Sequence, residues 1–171
     1  KVTEPFQMLG EIKEDLLDFL GADFIGMGGT KNFFGFENKD WKEWQTYDGT
    51  PVLVPGLFNT EPDEDGYLMQ YPEGDRSAMP SAKMPKGGFY FDSIVRQPPL
   101  IEEKLDPADN LEEFTLIADD QLEHMKRESI RLEKESDRAI VMSLPNMAFG
   151  DIALVPAPTL KNPKGIRDME E

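Results

Sequence analysis

The stretch LGEIKEDLLDFLGADFIGMGG, residues 9–29, decides the fold class. Leu9, Ile12, Leu16 and Leu20 fall at i, i+3, i+7 and i+11, with Leu17 and Phe19 widening the apolar side. That spacing predicts an amphipathic helix over 9–20. Gly21 stands where a left-handed residue closes a helix. Phe24-Ile25-Gly26-Met27 is a short apolar run before Gly28-Gly29. Helix, glycine, short buried strand and glycine-rich loop together read as parallel α/β architecture.

The last third follows the same pattern. Residues 119–136 predict a helix, with Asp119 as its N-cap and Leu122, Met125, Ser129 and Leu132 on one face. The apolar run RAIVMSL, residues 138–144, predicts a buried strand, and a loop over 145–150 leads into DIALVPAP. The middle differs. Residues 44–47 and 52–54 flank Asp48-Gly49, which predicts a hairpin. Residues 58–60 and 67–71 flank Asp63-Glu64-Asp65-Gly66, which predicts a second hairpin. The segment PEGDRSAMPSAKMPKGG, 72–88, predicts a long ordered loop or a mobile lid, and residues 88–92 a further strand. Trp41 and Trp44 are expected to anchor this hairpin layer.

Composition narrows the chemistry. The chain has 171 residues, a net charge of −16, no Cys and one His, His124. A Cys-free chain builds no disulfide, thiol nucleophile or Cys-ligated metal site from its own residues. The charge opposes nucleic acid and anionic membranes as partners, because both carry the same sign. No apolar stretch is long enough to span a bilayer, and the first residues carry no signal-peptide core. The expected compartment is cytoplasmic. The closing GIRDMEE reads as the first turn of a helix, which suggests a piece of something longer.

Ligands of parallel α/β proteins bind at the carboxyl ends of strands. Two such ends are Gly28-Gly29-Thr30-Lys31-Asn32 and Pro145-Asn146-Met147. Thr30, Lys31, Asn32 and Asn146 are either rim residues of a pocket or ordinary turn residues. Gly26-x-Gly28-Gly29 lacks the G-x-G-x-x-G spacing of a dinucleotide site. Arg76, in the turn Pro72-Glu73-Gly74-Asp75-Arg76, either meets an anionic ligand or pairs with Glu73 or Asp75. Asp92 and Arg96, four residues apart, pose the same choice. His124 is expected on the solvated side of its helix. Met79 and Met84 read as packing residues. The acidic run 61–65 lacks the spaced ligands of a calcium loop.

The segments PEGD (72–75), MPKGG (84–88) and FGDIALVPAP (149–158) resemble the uroporphyrinogen decarboxylase superfamily, and the likeness runs through the whole chain. It is nearest the uroporphyrinogen decarboxylase-like or corrinoid methyltransferase-like group. The resemblance implies an α/β fold: part of a (β/α)8 TIM-type barrel, from its N-terminal half, with a hairpin-rich insertion at about 37–100. It implies one of two chemistries. Decarboxylation of tetrapyrrole acetate groups needs a carboxylate that aligns near Gly29 or Thr30, and neither is an acid. Methyl transfer from a corrinoid to a zinc-bound thiolate uses His and Cys ligands from the C-terminal half. The resemblance therefore favours methyl transfer, with zinc and a corrinoid as cofactors of the parent and none in this piece.

On this reading the chain supplies barrel wall and rim, with Thr30, Asn32, Asp75, Arg76, Asp92, Arg96, Asn146 and Asp151 as ligand contacts. The partners are a small molecule or a corrinoid or tetrapyrrole ligand, and a second copy of the chain on uncovered barrel surfaces. The alternatives are a uroporphyrinogen decarboxylase, or a non-catalytic binding or assembly module whose acidic surface meets a basic partner.

Overall fold

A computed structural model describes residues 1–99, 101–144 and 158–165. β1 (Val2–Glu4) and β2 (Leu9–Gly10) form an antiparallel pair ahead of helix α1 (Glu14–Leu20). The helix is shorter than its apolar period suggests, because Leu9 and Gly10 take ladder bonds to β1 and Met8 turns through a left-handed φ of 57°. Gly21 caps α1 at φ 63°, with Gly21 N–H donating to Asp18 O and Ala22 N–H to Leu17 O. Those paired bonds satisfy carbonyls that the last helical turn leaves open.

β3 (Phe24–Met27) lies parallel to β9 (Ala139–Met142), with Phe24 opposite Ala139 and Met27 opposite Met142. Helix α2 (Asp119–Glu135) connects to β9 and packs on both strands. Ala118, not Asp119, is its N-cap. Ala118 has extended backbone and its N–H is taken by the Gln121 side chain, while Asp119 and Asp120 lie in the first turn. Acids there meet the unpaired N–H groups of the helix start. Arg138 ties the end of α1 to β9: its Nε donates to Ala22 O at 2.9 Å and its guanidinium pairs with Asp18.

Between β3 and α2 the chain builds a separate antiparallel unit. β4 (Lys42–Gln45) and β5 (Pro51–Val54) form the hairpin expected around Asp48-Gly49, where Gly49 adopts φ 84°. The second expected hairpin does not form as drawn. β6 (Leu68–Gln70) pairs with β7 (Ala82–Met84), inside the segment read as a loop or lid. β7 in turn pairs with β8 (Asp92–Ser93). Phe58 and Asn59 are buried in the core instead of forming a strand, and only the tip at 62–68 keeps a bridge.

The core belongs to this unit together with β1. Val2, Phe34, Phe36, Val54, Phe58, Leu68, Ala82, Met84 and Phe91 form one buried cluster. Phe34 meets Phe91 edge-on at 5.6 Å, Phe58 meets Phe91 edge-on at 5.9 Å, and Trp44 covers Phe58 at 5.5 Å. Edge-on rings set the positive ring edge against the negative face of a neighbour.

The barrel expectation is overturned. The described residues contain two α-helices, three two-stranded sheets and one three-stranded sheet, and β3–β9 is the parallel pairing among them. A (β/α)8 barrel needs a closed ring in which each strand pairs on both sides. Among the described residues β3 pairs with β9 alone. The local pattern of helix, glycine and strand was read correctly at 14–27, but the intervening residues bury their apolar side chains in an aromatic cluster of their own. No helix of the described residues is long and apolar enough to cross a membrane.

Phe34 is fully buried and touches rings on two sides. Phe34→Ala is expected to lower stability by about 3–5 kcal/mol, read from the urea unfolding midpoint. A loss below about 1 kcal/mol contradicts this placement of the core.

Candidate functional site

The carboxyl end of β3 is formed by Gly28, Gly29 and Thr30. His124 on α2 reaches it: Nε2 lies 3.0 Å from Gly28 O, and Nδ1 lies 3.2 Å from Arg127 Nη2. A carbonyl only accepts and a guanidinium only donates, so this arrangement puts the ring proton on Nε2. The single histidine therefore bridges helix and strand end, where the sequence suggested a solvated helix residue. Its signal in the sequence was slight, one polar ring beside the Leu122/Met125 face.

The residues after β3 are used in two ways. Thr30 is half-buried at the strand end. Asn32 is a turn pin: its Oδ1 accepts Phe34 N–H at 3.0 Å and its Nδ2 donates to Asn38 Oδ1 at 3.0 Å. Asn38 then donates to Thr3 O at 2.7 Å, which binds the loop to β1. This network seats Phe34 in the core and leaves Asn32 committed to the fold. Lys31 turns the other way, toward Glu73 Oε1 at 3.8 Å.

Glu73 belongs to the turn Pro72–Gly74, where Glu73 has φ 54° and Gly74 φ 73°. A side chain on Gly74 would sit 2.9 Å from Leu57 Cβ, so both the dihedral and the space demand glycine. Glu73 N–H donates to Phe34 O at 2.7 Å, fixing the turn on the aromatic core. Asp75 follows, and accepts from Lys161 Nζ at 2.7 Å, Ser77 Oγ at 2.6 Å and Ser77 N–H at 2.9 Å. The bond from Lys161, and then those from Ser77, hold its carboxyl far below the usual carboxylate range.

Arg76 is committed to the protein. Its Nη1 donates to Glu61 Oε2 at 3.0 Å and its Nη2 to Asn59 Oδ1 at 2.5 Å. Asn59 is itself held by Gln70: Asn59 N–H donates to Gln70 Oε1 at 2.9 Å, and Gln70 Nε2 to Asn59 O at 2.8 Å. These buried amides replace the strand ladder expected at 58–60.

Asp92 and Arg96 separate. Asp92 is exposed in β8 opposite Lys83. Arg96 is partly buried, and its Nη1 donates to Leu160 O. Loss of water around it lowers its pKa, against the opposing charge of Glu112. Beside it Gln97 Nε2 donates to Gly165 O at 3.3 Å, and Glu112 Oε1 accepts Lys164 N–H at 2.8 Å and Gly165 N–H at 2.9 Å.

The described members of the sequence-derived set thus do not gather at one place. Thr30 stands at the end of β3. Asn32 and Arg76 brace loops, Asp75 and Arg96 hold residues 158–165, and Asp92 stands apart. Asn146 and Asp151 lie outside the described residues. Glu73, Glu112, His124 and Lys161 take their roles here from partners distant in the chain, which local sequence pattern does not reveal. Among the described residues no group of three or more His, Asp or Glu could hold a metal ion. No family model, curated protein or solved structure matches this chain.

The lowered Asp75 pKa means that its ion pair contributes stability above the ordinary value of 3.8 and loses it as pH falls through and below that value. The difference in urea stability between the wild type and Asp75→Asn is expected to shrink over that acid range. A difference that stays constant there removes Asp75 as the cause.

Proposed function

We propose that the chain is part of a uroporphyrinogen decarboxylase-like enzyme that takes part in methyl transfer involving a corrinoid, with its ligand at the carboxyl ends of β3 and β9. The observation that carries this reading is the parallel pairing of β3 with β9, which sets Gly28–Thr30 beside Ser143 and Leu144. Ligands of α/β proteins bind at such paired ends because strand-end loops meet there and backbone groups are left unpaired. The PEGD and MPKGG segments behind the resemblance form turns of the antiparallel unit: Glu73 is fixed to Phe34 O, and Gly88 N–H donates to Pro85 O at 2.8 Å.

In this role His124 holds α2 against the strand end and leaves Thr30 at the rim. The polar ties of Asn32 and Asn38 keep the loop from collapsing over it. Zinc would activate an acceptor thiol by holding it as thiolate. The described residues do not supply that centre, so its donors belong elsewhere in such an enzyme, and the part assigned to this chain is ligand positioning in a cytoplasmic protein.

The test incubates the full-length protein with methylcobalamin and a thiol acceptor and follows the corrinoid spectrum. Thiol-dependent demethylation is expected, with stoichiometric zinc in the purified protein. An unchanged spectrum overturns the methyl-transfer reading; release of carbon dioxide from a tetrapyrrole acetate side chain in the same preparation selects decarboxylation instead. Self-association belongs to the same proposal. Phe19, Leu20 and Phe24 are 86%, 64% and 60% exposed, an apolar surface that a second copy would cover. Sedimentation of the chain at moderate salt is expected to show a dimer, and a monomer at high concentration counts against it.

A further inference from the structure

Residues 158–165 cross the surface between the turn at Pro72–Gly74 and the segment at 107–112, and their contacts are of two kinds. Either side of Lys161 is seated by buried prolines and by bonds to backbone groups, and Lys164 Nζ lies 3.8 Å from Asp109 Oδ1. Pro158 and Pro163 are buried, Gln97 and Glu112 hold Gly165, and Arg96 holds Leu160 O. The Lys161 side chain is held by charge: Nζ lies 2.7 Å from Asp75 Oδ2 and 3.8 Å from Glu73 Oε2. All three of those side chains are substantially exposed, so salt screens the attraction between them.

Glu73 is also the partner of Lys31, at 3.8 Å, in the loop leaving β3. One carboxylate is thus shared by a cation from the strand end and a cation from the crossing segment. Gly35 lies at the same junction. A Cβ there would meet Thr159 Cγ2 at 3.3 Å and Glu73 Cγ at 3.4 Å, so the crossing segment sits directly against the loop after β3. The core is anchored separately, through the Glu73 backbone and the aromatic cluster, and does not depend on Lys161.

We propose that residues 158–165 are a clasp, latched by Lys161 on Glu73 and Asp75, whose release loosens the carboxyl end of β3 while the aromatic core stays folded. Release frees Glu73 from one of its two cations and uncovers the Gly35 face. The loop 28–35 then loses Thr159 as a neighbour at Gly35. The significance of this loosening for ligand access rests on the strand-end site proposed above, but the clasp itself is a mechanical statement about the chain.

The test is tryptic cleavage after Lys161 combined with amide hydrogen exchange on the full chain, neither of which uses enzymatic activity. At low salt the wild type is expected to be protected at Lys161. Asp75→Asn, or 1 M NaCl where the screening length is about 3 Å, is expected to raise cleavage there by about threefold to fivefold, as an exposed ion pair worth up to about 1 kcal/mol implies, because cleavage follows the population of the open form. Exchange is expected to rise together in 158–165 and 28–35 and to stay unchanged at 82–84. Equal cleavage in wild type and Asp75→Asn overturns the latch. Faster exchange confined to 158–165 overturns its coupling to β3. If Asp75→Asn also exposes 82–84, Glu73→Gln and the salt series decide, and exposure of 82–84 in those too shows that the clasp is part of the core and overturns the proposal. Failure of this test leaves the methyl-transfer reading standing, and failure of that reading leaves the clasp standing.

Discussion

Burial of the phenylalanine cluster is the constraint on which the rest of this molecule depends. The hairpins and short sheets around it contain two or three strands each, and a lone two-stranded hairpin is marginal in water. Rings contributed by residues 34, 36, 58 and 91 give those ladders a common interior. Each ring removed from water contributes about 1.5–3 kcal/mol. The polar network accompanies that burial. Asn32 and Asn38 tie the turn that carries Phe34 into the core, and Asn59 and Gln70 satisfy each other beside the buried Phe58.

The second unit rests on a different balance. β3 and β9 are joined by a connection that contains the whole antiparallel unit, and α2 covers one side of the pair. Ile25, Met27, Ile140 and Met142 are half-buried, whereas Phe24 and Val141 remain exposed. Alternation along a strand makes that split inevitable once one face is packed. Arg138 then ties α1 to β9 through a carbonyl and a carboxylate, so the helix that buries none of its own residues is still fixed in place.

Charge is organised more locally than the net value of −16 suggests. The cations at the strand end and in residues 158–165 share acidic partners in one turn, and Arg76 is occupied by Asn59 and Glu61. Arginines and aspartates in a Pro- and Gly-rich loop look like ligand contacts in a sequence because the same side chains bind carboxylates and metals. In this fold most of them close loops, since short turns leave many backbone groups for side chains to satisfy.

The sequence by itself determined the parallel strands at 24–27 and 139–142, the helix before β9, the left-handed cap at Gly21 and the Asp48-Gly49 hairpin. Each is written in side-chain periodicity or in backbone demands spanning a few residues. Tertiary structure alone decided that β6 pairs with β7, that His124 meets Gly28, and that Asp75 and Arg96 serve residues 158–165. It also decided against a barrel. Strand pairing and ion pairing between distant segments depend on which apolar faces are buried together, and a one-dimensional pattern specifies that a face is apolar without specifying what covers it.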